Sequence, residues 1–166
     1  MISMTQQQQT NKENLLRQLI GEWHVGIAVK TGPDQVVAGC GDMTAVETDA
    51  VINGEINTQI EGYEEYYEND IWSYDPAKDE VRLYMINSEG DKQDFVGKWK
   101  DPATLELEWH GTFEDQDHQK RITVKWVNND QIELRETNYR LGKPVLQTDY
   151  VFKRKEATQA SKAVTR

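Results

Sequence analysis

The chain has 166 residues, a single cysteine and a formal net charge of −10. The length suits one domain, and no apolar run reaches the ~20 residues of a membrane-spanning helix. That leaves a membrane outside the expected partners, and a surface this acidic repels phosphate backbones, which leaves nucleic acid outside them too.

Met1 to Thr10 is polar and Gln-rich. It reads as a disordered arm over residues 1–10, and it lacks the basic and apolar regions of a secretory signal, which points to the cytoplasm. Thr10 or Asn11 is placed to cap a short helix running to about Ile20, with Leu15, Leu16, Leu19 and Ile20 on one stripe. From there the pattern has period two. Trp23, Val25, Ile27 and Val29 share one face of the first strand, and Gly32-Pro33-Asp34 turns the chain. The second strand, about Val36 to Glu47, is Gly-rich, which leaves its inward face open but suits the bending of a closed sheet. Ile52, Ile56 and Ile60 align next. The fourth strand, about Tyr66 to Tyr74, offers two faces: Tyr66, Glu68, Asp70, Trp72 and Tyr74, or Tyr67 and Ile71.

Five further strands and a last one follow. Val81, Leu83 and Met85 align, then Phe95 and Trp99 around Gly97, then Leu105, Leu107, Trp109 and Phe113. Ile122, Val124 and Trp126 precede an Asn128-Asn129-Asp130 turn, and the next strand begins with Ile132 and Leu134. After Leu141-Gly142-Lys143-Pro144, the last strand aligns Leu146, Thr148, Tyr150, Phe152 and Arg154. Residues 153 to 166 carry five of the 19 basic residues and one of the 29 acidic ones. The segment 156–166 reads as a disordered basic tail.

Short links make sequential strands pair antiparallel, and a meander of about ten strands must hide its edges. The expected architecture is therefore all-β: an antiparallel up-and-down barrel of about ten strands with a short N-terminal helix, a single domain over 11–155. A two-layer sandwich is the alternative. Gly21-Glu22-Trp23 at the entrance to the meander, the helix before it and a basic residue closing the last strand resemble the calycin superfamily. This group holds the lipocalins, the fatty-acid-binding proteins and their bacterial relatives. Trp72-Ser73-Tyr74-Asp75 and Leu141-Gly142-Lys143 are similar to segments of bacterial lipocalin-like families without assigned function. The resemblance implies that Trp23 sits at a closed barrel end with Arg154 across its ring, a structural pair.

Two departures bear on the ligand. Thr148 stands where the Arg-x-Tyr pair of fatty-acid-binding proteins would place its Arg, and Asp149 directly precedes Tyr150. The last histidine is His118, far upstream of the iron-ligating His of ten-stranded haem-binding relatives, so no cofactor is expected.

A binding barrel keeps a few polar groups among apolar walls. Trp72, Phe95, Trp109 and Trp126 are the expected aromatic walls, whether as lining or as plain core. If Ile132 and Leu134 face inward, alternation carries Glu136, Asn138 and Arg140 inward too, and Thr148 and Tyr150 are the polar groups expected from the last strand. A rim position or a bulge would instead leave them solvated. Glu68 and Asp70, if inward, acquire raised pKa values suited to acid–base work. His24 and His110 alternate outward, Cys40 reads as a small strand residue, and Asp115-Gln116-Asp117-His118 reads as a hairpin turn that is a poor metal site. No nucleophile motif is present. The leading reading is a non-enzymatic container for a small, mostly apolar ligand. The alternatives are a barrel enzyme (isomerase, cyclase or hydrolase) with an inward carboxylate, and a ligand-free interaction module.

Overall fold

A computed structural model describes residues 6–156. Residues 1–5, and all of the expected basic tail but its first residue, lie outside the described residues. Helix α1 spans Gln6–Arg17, so it starts inside the segment read from sequence as an arm. Ten strands follow: β1 Gly21–Gly32, β2 Gln35–Thr48, β3 Val51–Ile60, β4 Tyr66–Asp75 and β5 Glu80–Asn87. The second half is β6 Lys92–Asp101, β7 Thr104–Phe113, β8 Gln116–Asn128, β9 Gln131–Arg140 and β10 Lys143–Arg154. They form one closed antiparallel barrel in which each strand pairs with its sequence neighbours and β1 pairs with β10. The seam registers Trp23 with Arg154, Ile27 with Tyr150 and Val29 with Thr148. Closure leaves no bare edge, which is the physical reason a ten-strand meander curls. No helix among the described residues is long and apolar enough to cross a membrane.

Several hairpins turn on two residues. Asp49 and Ala50, Glu114 and Asp115, and Leu141 and Gly142 all have positive φ, the backbone that matches the twist of the flanking strands. The closed sheet also needs close strand approaches. A Cβ at Gly97 would collide with the backbone of Glu106, and one at Gly41 with that of Asn57. Only glycine lets the backbones meet there.

The core runs the length of the barrel and includes Trp23, Val81, Phe95, Leu105, Leu107 and Ile132, all at most 1% exposed. Helix α1 stops one end. Its last turn tightens through Gln18 N–H to Leu15 O, Leu19 N–H to Leu16 O and Ile20 N–H to Arg17 O. This drives Leu16 and Leu19 into the core, while Leu15 and Ile20 pack beside them. Lys12 Nζ ties the helix to Asp79 at 2.8 Å, and the Tyr74 hydroxyl donates to the same carboxylate at 2.9 Å.

The closed end explains the Gly-x-Trp motif in residue terms. Trp23 Nε1 donates to Leu19 O at 2.8 Å, and the Arg154 guanidinium lies 4.1 Å from the Trp23 ring centroid. Arg154 also donates to Ile20 O, Gln18 O and Asn129 O at 2.8, 2.8 and 3.0 Å. Gly21 has a φ of 132°, and a Cβ there would lie 2.5 Å from Arg154 Nη1. The motif therefore needs glycine for the backbone angle and for the space the guanidinium occupies.

Candidate functional site

Alternation fixes what the other half of the barrel contains. On β4 the even residues face in: Asp70 and Trp72 are buried, and Tyr66 and Glu68 are partly buried. The aromatic side of that strand thus brings two carboxylates inside with it. On β9, Ile132 leads inward and the same parity carries Glu136 and Asn138, both partly buried. On β8 the period of Ile122 and Val124 extends back to Lys120. On β3 and β6 it adds Thr58 and Gln93, and on β10 Thr148, all buried. The half of the barrel away from α1 is therefore a polar chamber on an apolar floor.

Register places the groups. Asp70 stands opposite Met85, and Met85 opposite Gln93, so the three form one row across β4, β5 and β6. Glu136 lies between Ile122 on β8 and Thr148 on β10. In the ring of ten strands, β4 and β9 are diametrically opposed. Carboxylates from opposite walls thus face a common space. Glu68, Asp70, Glu136 and Tyr150 line one void, with Ile56, Leu83 and Met85 among its apolar walls. It offers about 20 Å³ to the centre of a water molecule. A second void of about 20 Å³ lies toward the closed end, against Leu19, Trp72 and Phe152. Each has room for roughly one water on that measure. The atom-free space around the first void, open solvent included, is about 320 Å³.

The chamber's electrostatics follow from too many acids in too little water. Lys120 Nζ lies 3.5 Å from Glu136 Oε1, with the two side chains 17% and 15% exposed. The Tyr66 hydroxyl donates to Glu68 Oε2 at 2.6 Å. Burial raises the Asp70 pKa well above the usual carboxylate range, and the charge and hydrogen bond of Glu68 raise it further. Burial also raises Glu68, in spite of its bonds to Asp70 and Tyr66. A carboxyl–carboxyl hydrogen bond needs a proton, and Asp70, which Glu68 pushes up while itself pulling Glu68 down, is the carboxyl that keeps it. Burial, with Glu136, Glu68 and Asp70 nearby, pushes the Tyr150 hydroxyl up as well. Among the described residues, Asp70 Oδ1, Gln93 Oε1, Thr58 Oγ1, His118 Nε2 and Asn138 Oδ1 in this half, and Trp99 Nε1 and Trp126 Nε1 toward the closed end, are buried atoms with no hydrogen-bond partner.

The sequence-predicted residues separate by depth. Glu136 and Tyr150 line the chamber void, and Trp72 lines the void at the closed end. Thr148 is buried and Asn138 partly buried on the chamber wall. Phe95 is core. Trp126 packs on Trp99 with centroids 5.1 Å apart, among residues of the closed end. Trp109 is partly buried near the mouth, and its ring lies across Gly111, where a Cβ would strike it. Trp23 and Arg154 are the barrel-end pair described above.

Some expectations need correction. Arg140 is exposed, because β9 ends there and parity carries the side chain beyond the wall. Phe113, expected on the inward face, is 59% exposed at the end of β7 for the same reason. His118 is not in a turn: the turn is Glu114 and Asp115, and β8 begins at Gln116. The His118 ring instead sits 5.7 Å from that of Phe113. His24 and His110 point outward beside Asp42 and Glu108, and Cys40 is exposed. Among the described residues no three His, Cys, Asp or Glu are grouped to hold a metal ion. Lys120, Gln93 and Thr58 are not among the residues the sequence singles out, and Tyr66, Glu68 and Asp70 stand on one of two faces of β4 that it leaves open.

No protein-family model matches the chain, and no curated protein matches it by sequence. Among solved structures, it is similar to an S-type phycobiliprotein lyase from Guillardia theta, with a TM-score of 0.66 and 11% sequence identity. The match covers 92% of this chain and 99% of that one. At this identity the likeness is one of fold: the chain is a calycin-like barrel of ten strands.

Proposed function

We propose that this protein is a non-enzymatic binder that holds a small ligand in the half of its barrel opposite α1, the ligand's apolar body on the Ile56–Met85–Ile122 wall and its polar end at the carboxylates. The observation that carries this reading is a void that carboxylates from opposite walls share, in the half of the interior that holds five of the seven buried, unpartnered polar atoms found among the described residues. Unpartnered buried polar atoms cost about 1–3 kcal/mol each. A fold retains several on one side when something else satisfies them. The structurally similar phycobiliprotein lyase supports the reading only in that a barrel of this architecture serves a protein that handles another molecule.

Magnitudes indicate which contacts matter. Burying ~150 Å² of ligand at ~25 cal/mol per Å² yields ~4 kcal/mol, near millimolar affinity. Tighter binding has to come from the polar end. The test is an NMR fragment titration read at the methyl signals of Leu83, Met85 and Leu134. A subset of fragments should shift them, and filling the chamber by Leu134→Trp, or by Met85→Phe if that variant does not fold, should abolish the shifts. Fragments that never reach these signals, or hits that persist in the filled variant, would refute the reading.

A second reading is favoured by one observation. Glu68 and Asp70 stand two residues apart on the inward face of β4 and line the same void, where burial raises both carboxyls toward the range of general acid–base chemistry. It predicts turnover of a bound hit that Asp70→Asn abolishes.

A further inference from the structure

Resting on the binding reading, we infer that the ligand's polar end is an organic cation with several N–H donors, an ammonium or a guanidinium, held between Asp70 and Glu68 on one wall and Glu136 on the other. Three observations converge on it. The first is charge. Three carboxyls face the void region, and Lys120 stands 3.5 Å from Glu136. Among the described residues Glu68 and Asp70 have no ion pair of their own within 4 Å; Glu68 accepts from the Tyr66 hydroxyl, shares a hydrogen bond with Asp70 and feels the more distant charge of Lys120.

The second is the donor–acceptor balance. Asp70 is 5% exposed and Gln93 7%, and each has an oxygen without a partner, as does Asn138. Gln93 stands in the Asp70–Met85 row, so its free oxygen belongs to the same wall. Three of the five unpartnered chamber atoms are carboxyl or amide oxygens, acceptors that a ligand bringing N–H donors would satisfy. The third is shape. The acceptors sit on opposed strands, β4 and β9, around a small void. A metal ion needs its oxygens gathered within ~2.0–2.6 Å of one point, and no such group occurs among the described residues. N–H donors radiating from one nitrogen or one guanidinium plane reach separated acceptors. An anion would add like charge, and a neutral alcohol would leave the acids uncompensated.

The cation replaces the proton that Asp70 gives to Glu68. That proton leaves to solvent, so binding near neutral pH releases up to one proton per ligand. The groups facing the pair are Tyr66 on β4, Lys120 on β8, Glu136 on β9 and Tyr150 on β10.

The experiment uses phenethylamine, phenethyl alcohol and phenylacetate, which share a body and differ in the head. Calorimetry in two buffers of different protonation enthalpy counts protons, and the Leu83, Met85 and Leu134 methyl signals report the site. The expected result is that the amine binds at least about tenfold more tightly than the alcohol, phenylacetate binds weakest, and protons are released. Asp70→Asn should reduce the amine's advantage to below about threefold without weakening the alcohol; Glu68→Gln serves if that variant does not fold. An alcohol as tight as the amine, or an amine preference that survives both substitutions, overturns the inference. If the neutral or anionic probe enters the chamber and the amine does not, the cation class fails while the binding reading stands. If all three probes and the fragment set leave these signals unmoved, both fail.

Discussion

Replacing Arg154 by alanine should destabilise the barrel by about 3 kcal/mol. The guanidinium makes two 2.8 Å bonds to carbonyls just past the end of α1, one bond to the exposed Asn129 turn and a contact over the Trp23 ring. A hydrogen bond from a charged donor contributes roughly 1.5–3 kcal/mol. Taking the lower value for the two bonds at the helix end gives ~3 kcal/mol. The cation over the indole adds ~1 kcal/mol. The bond to Asn129 is solvated and counts for little. The side chain is 28% exposed, so water reaching the freed carbonyls returns ~1 kcal/mol of the loss. The balance corresponds to a fall of ~6–12 °C in Tm for a domain of this size. Arg154→Lys keeps a charge near the ring but loses the fork, and should cost ~2 kcal/mol. Urea denaturation followed by tryptophan fluorescence measures both, with an unchanged m value as the check on two-state behaviour. A loss below 1 kcal/mol for the alanine variant, or a lysine variant as stable as the wild type, would refute this account of the barrel end.

Gly21→Ala should cost a similar amount and should not add to Arg154→Ala in the double variant, because both release the same guanidinium; full additivity in a urea double-mutant cycle would contradict the steric account. Asp70→Asn should raise stability at neutral pH. The raised folded-state pKa of Asp70 means that folding binds a proton, so stability from this group is full below the unfolded value near 4 and is lost as pH rises through the folded value. The stability difference between variant and wild type should therefore widen with increasing pH in urea titrations; a difference independent of pH would count against the proton-sharing pair. Lys120→Met removes the cation beside Glu136, both side chains being mostly buried, and should destabilise by ~2–3 kcal/mol at neutral pH. The additional replacement Glu136→Gln should recover most of that loss, and no recovery would mean that the pair is not coupled.

Period-two patterning made most of this fold legible, since each pleat puts alternate side chains on one face and closure follows from short turns. The parity of β9 carries Glu136 inward from Ile132 and Leu134. The parity of β4 was undecidable, because both faces carry aromatic residues and a two-residue period has no preferred phase when both phases are apolar. Lys120 was within reach: the Ile122–Val124–Trp126 period extends to it, but a charged residue ordinarily marks where a buried run stops. Thr58 sits between Ile56 and Ile60 and gave the same signal. Arg140 and Phe113 went astray because parity says which face a side chain takes, and strand length decides whether any wall remains beside it. Cavity size was beyond the sequence altogether, since it depends on how the aromatic rings tilt against one another, as Trp99 and Trp126 do at 41°.

Nine of the ten ladders join consecutive strands, and only the β1–β10 seam links the two ends of the sheet. During synthesis the nine hairpins can zip in order as the polypeptide leaves the ribosome, each closing a short loop. Val25 and Ile27 then wait with a naked flank until Phe152 and Tyr150 of the last strand arrive. In that interval the nascent sheet is a sticky template for other chains. The last residue of the last strand, Arg154, is also the one that caps Trp23, so the interval ends only when the final turn of the ring is in place.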